Sequence, residues 1–354
     1  MRNYRSRLYS FDGIVVAAFV LIFNSFPSYA QQPYAQQQEQ QPNDPWFGQP
    51  DWMICNQAAL DCNTLQRFKP VFGIDVGAIW LSRQTPNSQN LVFDQNSNVL
   101  LNANQLKGSS GVGLDTTLSF FNIFRERPID FQMRFFQASD MSAEQTLTAT
   151  QVVPLFYGAV PVNPTNSNSL LYETQMRSFE ANIVYRTPFR IRLLTGFRFF
   201  EVDEIYDVVD NVSSSSSTRV GFFSRAENTM AGGQIGAEGT LLSNDNGRVF
   251  GSCKWAMLSN DSFGVAQAAN SSGVPIESVA SEWLTSQLLD FQLGGSLGLS
   301  RCFSIYAGYQ GLVASDLGLA LQQNRNASVF AGSNPIFTSD SQWHGFKLSL
   351  VGIW

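Results

Sequence analysis

The stretch Phe189-Arg190-Ile191-Arg192-Leu193-Leu194-Thr195-Gly196-Phe197-Arg198-Phe199-Phe200-Glu201-Val202 decides the fold class. Within it Phe189, Ile191, Leu193, Phe197 and Phe199 alternate with Arg190, Arg192, Gly196 and Arg198. A period of two is the repeat of a β-strand whose two faces meet different surroundings. Arginines cannot face hydrocarbon, because each costs about 2–4 kcal/mol at the midplane of a transmembrane barrel. The aromatic and aliphatic face is therefore read as the outer one, and the arginine face as the lining of an interior.

Nine further segments repeat the pattern: 72–82, 111–121, 129–139 and 173–185 before this stretch, and 229–242, 248–258, 286–299, 302–313 and 342–354 after it. The links between them alternate as well. Short ones fall at 122–128, 186–188, 243–247 and 300–301, the third carrying the hairpin-forming Asn246-Gly247 step. The others are polar and run to about 26 to 33 residues. Structureless loops of that length argue against strands in a compact soluble domain, but short turns on one side and long loops on the other are the habit of outer-membrane barrels. An even strand number returns both termini to the short-turn side. Outward aromatics gather at that side (Phe72, Phe120, Tyr185, Phe189, Phe303, Trp354) and again toward the loops (Trp80, Phe199, Trp255), as two interfacial girdles require. The prediction is an all-β, closed antiparallel transmembrane β-barrel of about ten strands over 71–354, with long external loops and short periplasmic turns, in the cell outer membrane. Segment 91–106 is where a further hairpin is most easily missed.

Composition agrees and excludes other classes. Hydrophobic residues make up 44% of the 354 and charged residues only 14%, yet mean hydropathy is −0.08, so charge is depleted without the long apolar runs of a helical membrane bundle. Net charge −6 and pI ≈ 4.9 lack the basic footprint of a nucleic-acid binder. One His, His344, rules out metal sites that need two imidazoles; no cofactor or metal is expected. At the N-terminus Arg2, Arg5 and Arg7, an apolar run from Ile14 to Phe23, and Ser28-Tyr29-Ala30 read as a signal peptide over 1–30, cleaved before Gln31. The alternative, an uncleaved anchor, needs a longer apolar run. Residues 31–70 read as a periplasmic tail, Gln- and Pro-rich at first, whose Cys55 and Cys62 suit a local disulfide in an exported chain. Cys253 and Cys302 read as small hydrophobes.

The interior face carries the candidate functional residues. Its acids are Asp75, Asp115, Asp130, Glu180, Glu238 and Asp290; its bases are Arg134, Arg190, Arg192, Arg198, Lys254 and Lys347. Arg190, Arg192 and Arg198 suggest an anion-attracting ladder along one wall, since guanidinium forks suit carboxylate and phosphate. The competing reading, which buried charge favours, pairs them with Glu180 and the other acids. Interiors of about eight strands are filled by side chains and open channels belong to about 16–18, so any channel here is narrow. The functional expectation is a narrow porin-like channel for small polar solutes or ions, with a non-conducting structural or adhesive surface barrel as the alternative. His344, with Asp340 four residues before it, is the sole catalytic hint at the loop end, and no enzyme activity is expected.

Behind the terminal Trp354, residues Leu350, Leu348 and Phe346 hold alternate positions. This resembles the C-terminal strand signal read by the barrel-assembly machinery, which with outer-membrane lipid completes the expected partners; nothing in the pattern specifies an oligomeric state. The stretches Gly196–Glu204, Asn228–Gly236 (NTMAGGQIG), Ala307-Gly308-Tyr309-Gln310 and His344-Gly345 resemble a planctomycete family of outer-membrane β-barrel porins, the seventh barrel-porin type. The resemblance covers most of 71–354. It implies fold and location, and no catalytic set.

Overall fold

Strands with two unlike faces pair with their sequence neighbours until the sheet meets itself. The computed structural model describes residues 71–84, 90–93, 99–106, 110–124, 127–148, 153–154, 167–211, 221–244, 247–269, 275–300, 302–323 and 336–354. In chain order the strands are β1 (Phe72–Arg83), β2 (Asn90–Phe93), β3 (Val99–Asn102), β4 (Ser110–Phe120), β5 (Ile129–Thr148), β6 (Val153–Pro154), β7 (Ser167–Arg186), β8 (Ile191–Asn211), β9 (Gly221–Ser243), β10 (Gly247–Ala269), β11 (Pro275–Gly298), β12 (Phe303–Gly318) and β13 (Thr338–Ile353). A short helix, α1 (Ala320–Gln323), follows β12. Ten strands form a closed antiparallel barrel in the order β1-β13-β12-β11-β10-β9-β8-β7-β5-β4, with β4 returning to β1. Every one of the ten predicted segments overlaps one of these strands. The first and last close the seam from Gly73↔Ile353 to Arg83↔Trp343, and the N–H groups of Val71 and Phe72 donate to the Trp354 carbonyl at 2.7 and 2.9 Å.

Toward the short turns the outer face is apolar. Ile191, Leu193 and Phe197 on β8, Leu289, Phe291, Leu293 and Leu297 on β11, and Phe346, Leu348 and Leu350 on β13 are all exposed. Runs such as Ile191–Phe199 and Leu289–Leu297 have the ~9–11 residues with which a tilted strand crosses hydrocarbon. At the lower rim Phe131, Phe120, Phe72, Trp354 and Phe303 form a chain of ring contacts with centroids 5.6–6.3 Å apart across five adjacent strands.

Above this band the strands go on, and on some of them the polarity of the two faces reverses. On β8 the outward residues become Glu201, Asp203 and Asp207 while Phe200, Val202, Tyr206 and Val208 turn inward and are buried. At this height stands an apolar doublet, one side chain outward and one inward: Phe199-Phe200 on β8, Phe135-Phe136 on β5, Leu288-Leu289 on β11. On β8 the wall thus changes from an apolar exterior over a polar interior to a polar exterior over a largely apolar interior, whereas β11 keeps Val279 and Trp283 exposed on its outer face. The expected long loops after the third, fifth and seventh segments are corrected accordingly. They are largely strand: β5 runs to Thr148, β8 to Asn211 and β10 to Ala269, and β10 is joined to β11 by residues 270–274 alone. Asp140 (φ 62°) and Asp316 (φ 57°) mark β-bulges where β5 and β12 shift register at this level.

The hairpin hidden in 91–106 exists, but outside the barrel wall. β2 and β3 join β6 in a separate three-stranded sheet. From this connection Leu91, Leu101, Ala103 and Leu106 are buried in one cluster with Ala143, Leu170, Tyr172, Tyr206, Val208 and Ala226 of the wall. Helix α1 joins the same cluster through Ala320 and Leu321. Its backbone is tied to the wall, since Ser224 Oγ donates to the Ala320 carbonyl at 2.9 Å and Ala320 N–H donates to Glu204 Oε2 at 3.2 Å.

Candidate functional site

Each barrel strand contributes one inward polar side chain to a single layer inside the apolar band: Asp75, Asp115, Arg134, Glu180, Arg198, Gln234, Lys254, Asp290, Gln310 and Lys347. The register places them there; Arg134↔Glu180 and Glu180↔Arg198 are direct cross-strand pairs, as is Lys254↔Asp290. Four acids meet four bases, so the layer is neutral. A charge taken out of water must be paired and hydrogen-bonded to persist, and the geometry meets that demand. Arg134 Nη2 lies 2.5 Å from Asp115 Oδ2, and its Nη1 lies 3.3 Å from Glu180 Oε1 and 3.2 Å from Asp290 Oδ2. Nη2 also donates to Gln310 Oε1 at 2.9 Å. Arg198 reaches Asp290 at 3.1 Å, Lys254 reaches Glu180 at 2.8 Å, and Lys347 bridges Asp115 at 2.9 Å and Asp75 at 3.0 Å. Gln234 donates to Glu180, and Gln310 to Asp290.

One of these contacts crosses the bore. In the closed order β5 and β11 stand five places apart either way round, so they face each other across the barrel. The Arg134–Asp290 ion pair joins those opposite walls directly. Above it a second buried cluster, with Phe136, Phe200, Met230, Leu258, Leu312 and Trp343 among its members, fills the next storey. Higher still Arg83 pairs with Glu204 at 2.6 Å and donates to Thr174 and Ser341, while Asn228 holds both the N–H and the carbonyl of Gly318. Burial pushes the Glu204 carboxyl up; Arg83 and the Ala320 N–H pull the other way. The topmost storey is the cluster closed by the β2–β3 connection and α1.

Of the expected lining residues, Asp75, Asp115, Arg134, Glu180, Arg198, Lys254, Asp290 and Lys347 are brought together in the layer. Arg192 and Glu238 pair with each other nearer the short-turn mouth, and Asp130 pairs there with Arg186 at 3.2 Å. Arg190 is a correction. It sits in the turn before β8 with φ 60°, exposed at the rim, because the chain has already left the strand there. The three-arginine ladder is therefore not formed: Arg190 lies outside the bore, and Arg192 and Arg198 are each bound to carboxylates. Arg83 and Glu204 belonged to the interior by parity, sharing the inward phase of Asp75 and Arg198, but stood beyond the predicted strand ends. His344 faces outward and stacks on Tyr309, with centroids 6.1 Å apart, while Asp340 lies exposed on the same outer face. Trp354 holds the seam at Phe72, and Phe346, Leu348 and Leu350 line the outer face of β13. Cys253 is exposed and Cys302 half-buried, both free. The Cys55/Cys62 pair, the signal and the 31–70 tail lie outside the described residues.

No protein-family model matches the chain, and no curated protein matches it. Among solved structures it is similar to the outer membrane protease OmpT from Escherichia coli, at 9% identity over 82% of this chain and 99% of that one, with a TM-score of 0.40. It is also similar to the Pseudomonas putida toluene transporter TodX, at 9% identity over 82% and 91% with a TM-score of 0.37. The toluene transporter TbuX of Ralstonia pickettii follows at 8% identity over 81% and 90%, with a TM-score of 0.26.

Proposed function

We propose that this chain is an integral outer-membrane β-barrel, closed to solute flow in the conformation described, that acts as a structural or adhesive barrel through the wall it raises above the membrane. The exposed apolar band with its aromatic rim supports the membrane reading, because such a surface is stable only against lipid. The Arg134–Asp290 pair across the bore carries the non-conducting reading, and the two apolar clusters above it reinforce it. A signal peptide, delivery by the barrel-assembly machinery and membership of the planctomycete barrel-porin family are parts of the same proposal; catalysis is not.

A narrow channel is the second reading, and one observation favours it. The layer and the side chains below it are partly open to water, Asp75 in the layer at 23% and Arg192 below it at 28%, so solvent reaches the layer from the short-turn side. Planar-bilayer recording of the refolded barrel tests both. The sealed reading expects no unitary current in the wild type over a range of voltage and salt, and none after Arg134→Ala with Asp290→Ala, because the two apolar clusters above still fill the bore. Stable currents in the wild type overturn it in favour of the channel, and replacing Arg192 and Arg198 by Gln then reads out their part in ion selectivity.

A further inference from the structure

The wall strands β5 and β7–β11 run 20–24 residues, whereas β1, β4, β12 and β13 run 11–16. The wall above the band is therefore raised on one side of the barrel only, and β11 is a margin of it. β12 pairs with β11 between Gly298↔Ser304 and Gln287↔Ser315 and then leaves. Contacts with the interior fix the departure. Asp316 turns at φ 57°, its carbonyl accepts from Ser286 Oγ at 2.9 Å, and Gly318 beyond it is held by Asn228 of β9. From Pro275 to Ser286, β11 pairs with β10 alone among the described residues. Its exposure agrees with a missing neighbour. Lower down Leu288, Leu289, Asp290 and Phe291 alternate between buried and exposed, but Ser281, Glu282 and Trp283 are exposed in succession, so both faces meet solvent there.

An unpaired strand margin presents a row of main-chain donors and acceptors, and at ~3.3 Å per residue this one is about 40 Å long. The outer face beside it carries Val279 at 49% and Trp283 at 72% exposure. Both stand apart from the lipid band, because Thr285 and Gln287 intervene on the same face. A large exposed ring beside an open edge is the kind of anchor around which partners dock. Charge narrows the partner further. Between Lys254 and Asp290 the chain carries Asp261, Glu277 and Glu282 and no Lys or Arg. Glu277 accepts from the neutral amide of Gln267 at 3.1 Å, which leaves its charge in place. A second copy of this edge would set acid against acid, whereas a basic strand meets its complement. We infer that residues 275–286 of β11 are a docking edge for an extended, basic segment of another protein, which joins the sheet as a further strand. Main-chain hydrogen bonds supply the affinity, Val279 and Trp283 pack alternate side chains of the incoming strand, and Glu277 and Glu282 select Lys or Arg. The inference deepens the adhesive reading above and rests on it, since that reading places this wall outside the membrane.

The test uses the full barrel refolded in detergent micelles, folding being checked by mobility on unheated gels, and a fluorescently labelled peptide in which Lys alternates with Thr and Val. Anisotropy titrations compare this peptide with a version carrying Glu in place of Lys, and with the Lys peptide N-methylated throughout, which keeps the charge and loses the main-chain donors. The wild type is expected to bind the first and neither of the others. Trp283→Ala should weaken binding at least about tenfold, the scale of an interface anchor. Glu277→Lys with Glu282→Lys should weaken it about tenfold, the scale of two exposed charge pairs turned repulsive. All three positions are exposed, so these variants are expected to fold as the wild type does. No binding of the Lys peptide, equal binding of its N-methylated form, or binding indifferent to the substitutions overturns the edge. A barrel that self-associates in sedimentation without peptide, and returns to monomer with Trp283→Ala, assigns the edge to a second copy and overturns the basic partner. Planar-bilayer recording of the same preparation judges the closed, adhesive reading separately. A conducting barrel that binds the peptide overturns that reading and supports the edge; a silent barrel that does not bind overturns the edge alone.

Discussion

Arg134 touches three of the four acids of the polar layer, so replacing it by Met tests whether the layer is an electrostatic unit. The substitution fills similar space without charge and leaves Asp75, Asp115, Glu180 and Asp290 facing Arg198, Lys254 and Lys347, a buried surplus of one negative charge. Removing one partner of a buried pair costs about 3–5 kcal/mol. The lower end applies here, because Lys347 still holds Asp115, Lys254 still holds Glu180, and Arg198 with Gln310 still holds Asp290. Adding Asp290→Asn restores neutrality at three against three and should recover most of the loss, even though each single change is destabilising. Urea unfolding in detergent micelles, followed by tryptophan fluorescence and by mobility on unheated gels, gives the four free energies of the cycle. A single variant within about 1 kcal/mol of the wild type, or a double variant whose loss is the sum of the two singles, refutes the claim that the layer is balanced as a whole.

Three further outcomes follow from particular contacts. Burial pushes the Asp203 carboxyl up, and Glu227 across the strand adds to it. Its ionisation therefore opposes folding, so Asp203→Asn should raise the melting temperature at pH 7, by an amount that shrinks as pH falls through the raised pKa and vanishes below about 3.9, where the unfolded carboxyl is protonated too. A Cβ at Gly113 would lie 1.6 Å from the Gln137 carbonyl oxygen, whereas at Gly233 it meets nothing within 4 Å. Gly113→Ala is expected to cost about 1–3 kcal/mol and Gly233→Ala less than about 0.5 kcal/mol, as read by the same urea unfolding. Trp354→Ala removes ring contacts with Phe72 and Phe303 while leaving the backbone seam; at roughly 0.5–1.5 kcal/mol per aromatic pair it should cost about 1–3 kcal/mol and lower the yield of refolded barrel.

The barrel was legible because the lipid-type band imposes one rule, apolar outward, on every strand at the same height; Ile191–Phe199 states it as clearly as any segment. The strand extensions were not, because above Phe199 the rule inverts. Glu201, Asp203 and Asp207 look like loop residues to a reader seeking an outward apolar face, although Val202, Tyr206 and Val208 keep the same period on the other side. The doublets Phe199-Phe200 and Phe135-Phe136 are the local sign of that inversion. Parity alone brought Asp115, Arg134, Glu180 and Asp290 to one interior, since inward positions are fixed once one residue per strand is fixed. Which of them touch depends on stagger between strands, which no single strand encodes. The Arg134–Asp290 contact across the bore is of that kind. Arg190 departs from the pattern for a related reason: the alternation of residue types runs on into the turn before β8, where backbone φ changes sign.

Nine of the ten lateral pairings in the wall join strands that follow one another round the barrel; the tenth, β1 with β13, joins its two ends. The Lys347–Asp75 ion pair there spans 272 residues of chain. Loop closure on that scale costs about 5 kcal/mol of entropy, against about 2 for a ten-residue hairpin link. Hairpins can therefore zip early, while the sheet stays an open strip with two unsatisfied margins until its last strand docks on its first. Such margins recruit other chains as readily as their own. The fate of each molecule is thus decided in a race between ring closure and sticking, and the seam residues act on the speed of that race before they contribute anything to the finished wall.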